Sequence, residues 1–193
     1  MSGSPSTARD LFGPEQTAAI RDLLQSLFIA ELLKPSSCLW MAFGWISDIE
    51  VIDNRARQFG ALQPDWPASG IRLSQLMSAL VEAGGQLSLV LRDVDHNRQF
   101  ISSIKPMRER FPGQVKIALG AEVHDKGILG DDFLLSGSMN LTYNGVTIND
   151  EHLTLRTDMA SVQEWRLTLE RKWGRALVSV SYTHLTLPTI YSV

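Results

Sequence analysis

Apolar positions in the first third of the chain recur at helical spacing. Ile20, Leu23, Leu24, Leu27 and Phe28 share one face, and the run stops at Lys34-Pro35, predicting a helix that opens near Gly13-Pro14. The pattern then changes. Cys38 to Ile46 is nearly continuous apolar sequence, as expected of a strand buried on both faces. A second helical stripe (Leu73, Leu76, Met77, Leu80, Val81) ends at Gly84-Gly85. Leu87 to Leu91 and Val115 to Leu119 read as further buried strands. Between them the sequence predicts a helix through Met107, for which Asp95 or Asn97 can serve as the cap. His152 to Arg156 reads as a strand, and Asp158 caps a last helix that reaches Trp173. Two stretches lack a period. Ser47 to Gly70 is long for a connector, which favours a functional loop with room for a short helix; Tyr143 to Asp150 reads as a loop. Residues 1–12 are rich in Ser, Pro and Thr and are expected to be disordered.

This order of elements implies an α/β fold, a mixed β-sheet flanked by helices on both faces. No internal repeat is visible, so residues 13–179 form one domain. The tail does not fit it. Residues 180–193 carry no Asp, Glu, Lys or Arg and no helical period. They resemble the translation of a transposon-type sequencing adapter, and the domain is therefore read as ending near Ser179.

With 193 residues, 44% of them hydrophobic, the chain can bury a sizeable core. The net charge of −3 provides no global field for nucleic acid, so any phosphate site must be locally basic. The single cysteine, Cys38, excludes an internal disulfide, and its apolar neighbours Leu39 and Trp40 mark it as a buried thiol. Ser2 to Asp10 is polar with no apolar segment after it, and no apolar run approaches the ~20 residues of a membrane span. A cytoplasmic protein without a membrane partner is expected.

The chemistry concentrates between Val123 and Asn140. Ile128-Leu129, Gly130-Asp131-Asp132 and Phe133-Leu134-Leu135 read as the two arms and the turn of a hairpin. His124 and Lys126 lie two apart before it, and Ser138 and Asn140 two apart after it. In extended chain each pair shares a face, and the turn folds one pair beside the other. An imidazole, an ammonium, a hydroxyl and an amide at one open end suit a phosphate ester: a nucleophile or base, a cation for the non-bridging oxygens, and neutral donors.

His124-x-Lys126, four residues, Asp131, then Gly137-Ser138 with Asn140 close behind, resembles the HKD motif of the phospholipase D superfamily. The interval from Asp131 to Gly137 is one residue shorter than the family pattern, which a shorter turn would accommodate. Glu151, eleven residues past Asn140, matches the Glu that orients the catalytic His in single-motif bacterial nucleases of the family. More narrowly, Ser26 to Leu33, Trp45 to Ile49, Asp53 to Ala56, His96-Asn97-Arg98 and His124 to Gly127 resemble the phospholipase-D-like protein of bacterial DNA-phosphorothioation-dependent restriction clusters.

The resemblance implies a phospholipase D-like fold and a metal-independent phosphodiesterase with no cofactor, working through a phosphohistidine. The family mechanism needs two motifs and the chain has one, so a homodimer with its site at the interface is expected. The implied catalytic set is His124, Lys126, Asn140, Ser138 and Glu151, with Asp131 and Gly137 as structural members. Asp53, Asn54, Arg55 and His96 are candidate substrate contacts. DNA is the expected substrate, and other proteins of a restriction cluster are possible partners.

Plainer readings stand beside these. Asp131 and Asp132 fit turn positions. Asp53, Asn54 and Arg55 could bridge one another locally, and Asp93, Asp95 and His96 could form a loop and a cap. Trp40, Trp45, Trp165 and Trp173 fall on apolar periods, as core or dimer contacts. A metal site from His124, Asp131 and His152 is conceivable, although no known ligand spacing is present. Among functions, the alternative to a DNA nuclease of a restriction or defence system is a non-catalytic recognition or docking subunit on the same fold. A phospholipase fits less well without an anchor or a basic amphipathic helix.

Overall fold

Strand β2 (Leu39–Phe43) explains the layering. All five of its residues are buried, and they alternate between two cores. Leu39, Met41 and Phe43 join one, and Trp40 and Ala42 join the other, as the two-residue period of a strand requires. Strand β5 (Leu87–Arg92) repeats this, with Leu87, Leu89 and Leu91 on the first side and Val90 on the second. A sheet apolar on both faces must carry helices on both.

The computed structural model describes residues 8–12, 17–147 and 151–179. Its elements are β1 (Ala8–Phe12), α1 (Thr17–Leu33), β2, β3 (Glu50–Asp53), β4 (Gly70–Arg72), α2 (Leu73–Glu82), β5, α3 (Asp95–Ser103), α4 (Lys105–Arg110), β6 (Val115–Gly120), β7 (Gly127–Leu129), β8 (Leu134–Gly137), α5 (Tyr143–Thr147), β9 (His152–Arg156) and α6 (Met159–Ser179). The main sheet runs β1-β9-β8-β7-β2-β5-β6. Strands β2, β5 and β6 are mutually parallel and the other pairings are antiparallel. Residues of α1, α2, α3 and α4 fill the larger core, while Val162, Leu169 and Leu177 of α6 close the second. The expected mixed sheet with helices on both faces is therefore present. Among the described residues no helix is long and apolar enough to cross a membrane.

Several local expectations are corrected. Residues 8–12 are not disordered: they form β1, paired from Ala8↔Arg156 to Phe12↔His152. The polar composition hid this, because the segment is held by the otherwise open edge of β9 and by Leu11, which is buried. Residues 1–7, the Gly13-Pro14 helix opening and the adapter-like 180–193 lie outside the described residues. The stretch from Ser47 to Gly70 is not simply a loop. Its first strand, β3, pairs antiparallel with β4, and Asp48 accepts bonds from the Ser74 amide (2.8 Å) and hydroxyl (2.9 Å) at the start of α2. Tyr143 to Thr147, read as loop, is helical. The helix after β5 breaks at Ile104 into α3 and α4, with Pro106 opening the second. Neither Asp95 nor Asn97 caps α3; Val94 holds that position without a side-chain bond.

Candidate active site

Strand register assembles the site. Ala42 pairs with Gly127, Gly127 with Ser136, and Gly137 with Leu153. The end of β2, the start of β7, the end of β8 and the start of β9 therefore meet at one edge of the sheet. The segments just beyond those ends are Gly44 to Ser47, His124 to Lys126, Ser138 to Asn140, and Glu151-His152. Four stretches distant in sequence converge because antiparallel pairing reverses the chain between them.

Gly44 lies at the crossing. A Cβ there would sit 3.2 Å from the Val123 carbonyl oxygen and 3.5 Å from Asn140 Oδ1. The end of β2 thus passes between the residue preceding His124 and the side chain of Asn140. Only a residue with little bulk permits that approach.

His124 is exposed and its ring makes no hydrogen bond among the described residues. It does not lie on a strand: β7 begins at Gly127, and of the segment before it the Lys126 carbonyl accepts the Gly137 amide of β8 at 3.2 Å. The period-of-two argument for His124 and Lys126 therefore fails, although the two remain close. Lys126 Nζ donates to the His124 carbonyl oxygen at 3.2 Å, which leaves further ammonium hydrogens for an anion. Asp125 between them is tied to Lys172 of α6 at 2.7 Å, fixing this irregular segment to the second helical layer.

Ser138 donates its hydroxyl to Glu151 Oε2, and Ser138 Oγ in turn accepts the His152 amide at 3.0 Å. Glu151 is only 8% exposed, so the hydroxyl stabilises a carboxylate largely removed from water. Asn140 Oδ1 accepts the Trp45 amide at 3.1 Å, which orients its NH2 group as the remaining donor. Gly137 is needed for the strand approach that seats Ser138. A Cβ at this position would overlap the His152 carbonyl oxygen.

A residue the sequence suggested only as a helix cap organises the neighbouring loop. Asn97 is fully buried. Its Oδ1 accepts the Ile46 amide (2.9 Å), and its Nδ2 donates to the carbonyls of Gly44 (2.9 Å) and Arg92 (2.8 Å). It holds the turn after β2 in the shape that places Trp45 on Asn140. Its position just past a buried strand, within the His96-Asn97-Arg98 segment, was the available signal. Beside it, His96 Nε2 lies 2.9 Å from Ser47 Oγ. His96, Trp45, Ser47, Asn140, Thr142, Tyr143 and Asn144 line a cleft of ≈360 Å³.

The other candidate substrate contacts lie elsewhere. Asp53 and Arg55 line a separate cleft with Arg21, Asp22 and Gln25 of α1, and Arg55 pairs with Asp53 (3.0 Å) and Glu50 (3.4 Å). Asn54 is fully buried, donating to the Pro67 carbonyl (2.9 Å) and accepting the Phe59 amide (3.2 Å). It is thus a loop-folding residue and unable to reach a substrate.

Asp131 sits at the opposite end of the hairpin. The turn closes there through Gly130 N to the Phe133 carbonyl, 3.0 Å, about 10 Å of strand away from the polar ends. Asp131 accepts the Ser37 amide (2.7 Å) and hydroxyl (2.8 Å) and faces Arg166 of α6 at 3.1 Å. Partial burial opposes its ionisation, but the Ser37 bonds and Arg166 outweigh it and hold its carboxyl below the usual aspartate range. Ser36 Oγ links this turn to α1: it accepts the Asp131 amide at 2.8 Å and donates to Glu31 at 2.7 Å. Burial pushes the Glu31 carboxyl up, against the bonds from Ser36, and burial likewise raises the Cys38 thiol. With Asp131 at the far edge, His124, Asp131 and His152 cannot ligate one metal ion. Trp40 is core, Trp165 and Trp173 pack against the second core, and Trp45 is instead exposed at the cleft.

No protein-family model matches the sequence, and no curated protein matches it. Solved structures do. NucT from Helicobacter pylori superposes with a TM-score of 0.59 at 14% identity, over 88% of this chain and 96% of that one. Nuc from Salmonella typhimurium, described as a phospholipase D family member, gives 0.56 at 15% identity, over 88% and 94%. TrmBL2, an archaeal chromatin protein described as showing a novel mode of DNA binding, gives 0.52 at 13%, over 91% of this chain and 55% of that one. Together with the mixed sheet and its two helical layers, these similarities establish that the chain has the phospholipase D fold.

Proposed function

We propose that this protein is a metal-independent phosphodiesterase of the phospholipase D type that cleaves DNA. The observation that carries the reading is the convergence at one sheet edge of an exposed imidazole with Lys126, Asn140, and the Ser138–Glu151 pair. In this scheme His124 attacks phosphorus, forming a P–N bond, and the leaving oxygen takes a proton from the His124 of a second copy. That second imidazole then removes a proton from water, whose oxygen attacks phosphorus and breaks the P–N bond. Lys126 and the Asn140 NH2 stabilise the charge that builds on the non-bridging oxygens. Glu151, braced by Ser138, is assigned to orient the imidazole once the second copy and the substrate complete the site. One chain supplies one copy of the motif, so the scheme requires a C2 dimer with both hairpins at its axis. The fold of a DNA-binding chromatin protein supports DNA as the ligand. The resemblance to proteins of phosphorothioation-dependent restriction clusters supports a cytoplasmic defence role with other cluster proteins as partners.

The test is cutting of plasmid DNA in EDTA by the wild type and by His124→Ala, with the oligomeric state measured by sedimentation. Cutting that persists in EDTA and falls by about 10³-fold or more in the variant is expected. A strictly monomeric wild type, or one inert on DNA, overturns the proposal. An inert protein that still binds DNA would instead be a recognition or docking subunit.

A further inference from the structure

The cleft beside Asn140 contains two features that phosphoryl transfer does not use. Trp45 is 40% exposed and Tyr143 is 63% exposed, although large aromatics normally bury their rings. Both line the same cleft as Asn140 and His96. Each is held from behind. The Trp45 backbone is pinned by Asn140 and its neighbour Ile46 by Asn97, while the Arg92 guanidinium stands 5.6 Å from the Trp45 ring centroid. Arg92 is itself anchored by donation to the Ala121 carbonyl at 3.1 Å. Tyr143 begins α5, which packs against α1, and it also borders a second cleft of mixed charge, with Arg21 and Arg72 beside Asp48 and Glu50. The phenol makes no hydrogen bond among the described residues.

From this arrangement we propose that Trp45 and Tyr143 form a base-stacking subsite next to the phosphoryl position, so that the substrate is single-stranded or locally unpaired DNA. Flat aromatic faces recognise any base but require it to be unstacked, and a paired base inside a duplex cannot reach them. Arg92 adds positive charge where the net-negative chain otherwise provides little. The inference rests on the proposed phosphodiesterase reading. The occupant is a base because both rings line one cleft with Asn140 and His96, and flat exposed rings beside a phosphoryl site suit a base rather than a charged group.

The test compares an oligodeoxythymidylate, an abasic-spacer oligomer of the same length, and a duplex. Each is assayed for cleavage, and for binding by fluorescence anisotropy to His124→Ala, which leaves binding readable in the absence of turnover. Wild type should favour the oligodeoxythymidylate over both other substrates. Tyr143→Ala and Trp45→Ala should each weaken that preference by about 5- to 100-fold, the value of one base–aromatic stack, while Tyr143→Phe retains it. Cleavage of the abasic oligomer should stay within about twofold, as expected if only base contacts are lost. Equal use of abasic and base-containing strands, or preference for duplex, overturns the subsite. So does a variant that becomes monomeric in sedimentation, which would mark these rings as dimer contacts. If nothing is cleaved but His124→Ala still discriminates bases, the catalytic reading fails and the subsite stands.

Discussion

Replacing Asn97 by Ala should destabilise this protein as severely as a large core deletion, though Asn97 is polar and lies outside the hairpin. Three bonds are lost, with unequal effect. The Arg92 carbonyl keeps a bond from the Val94 amide at 3.0 Å. The Ile46 amide and the Gly44 carbonyl lose their Asn97 partners. Two buried groups left unpaired, at about 1–3 kcal/mol each, together with a small void, give about 3–5 kcal/mol. Urea denaturation followed by tryptophan fluorescence should show the midpoint falling by about 1.5–2.5 M, for a slope near 2 kcal/mol/M. Asn97→Asp sharpens the test. One oxygen can still accept the Ile46 amide, but the other would face two carbonyl oxygens, so the acid form is favoured and its folded pKa raised. A raised pKa gives stability that is present below the unfolded value and lost as pH rises through the folded one. Asn97→Asp should therefore be worse at pH 7 than at pH 4 relative to wild type. A midpoint for Asn97→Ala within about 0.5 M of wild type, or an Asp variant indifferent to pH, would refute the assignment of Asn97 as the tie of this loop.

Gly137→Ala should lower Tm by about 4–10 °C, since its methyl meets the His152 carbonyl oxygen and must push β8 from β9. Gly174→Ala in α6, where no atom lies within 4 Å of the added carbon, should instead leave Tm equal or higher by differential scanning calorimetry. Asp131→Asn should cost about 1–2 kcal/mol at neutral pH, a value discounted for the partial exposure of the pair with Arg166. Because the folded pKa of Asp131 is lowered from 3.8, its contribution is present above that value and lost as pH falls through the folded one. The gap between wild type and variant in urea titrations should close in acid. If His124 of two copies shares a proton during turnover, the cleavage rate should follow a bell-shaped pH profile, and a single rising limb in stopped assays would count against a shared pair.

The sequence by itself determined the layers and the local hairpin. The nearly unbroken apolar runs of Leu39 to Phe43 and Leu87 to Leu91 fit strands of a sheet covered on both faces. The i, i+4 stripe of Ile20, Leu24 and Phe28 can be satisfied only by a helix against one of them. The hairpin of β7 and β8 was legible because it is a local structure set by its own spacing, whereas the irregular course of residues 124–126 was not. Long-range pairing decided the rest. Whether residues 8–12 were ordered depended on the open edge of β9, about 140 residues on. Asn97 as a tie, Asn54 as a loop anchor and Trp45 as an exposed ring depended on which backbone groups other strands left unpaired beside them. A buried polar side chain is defined by partners that may come from anywhere in the chain, whereas an apolar stripe is defined by its own period; the first needs tertiary structure and the second does not.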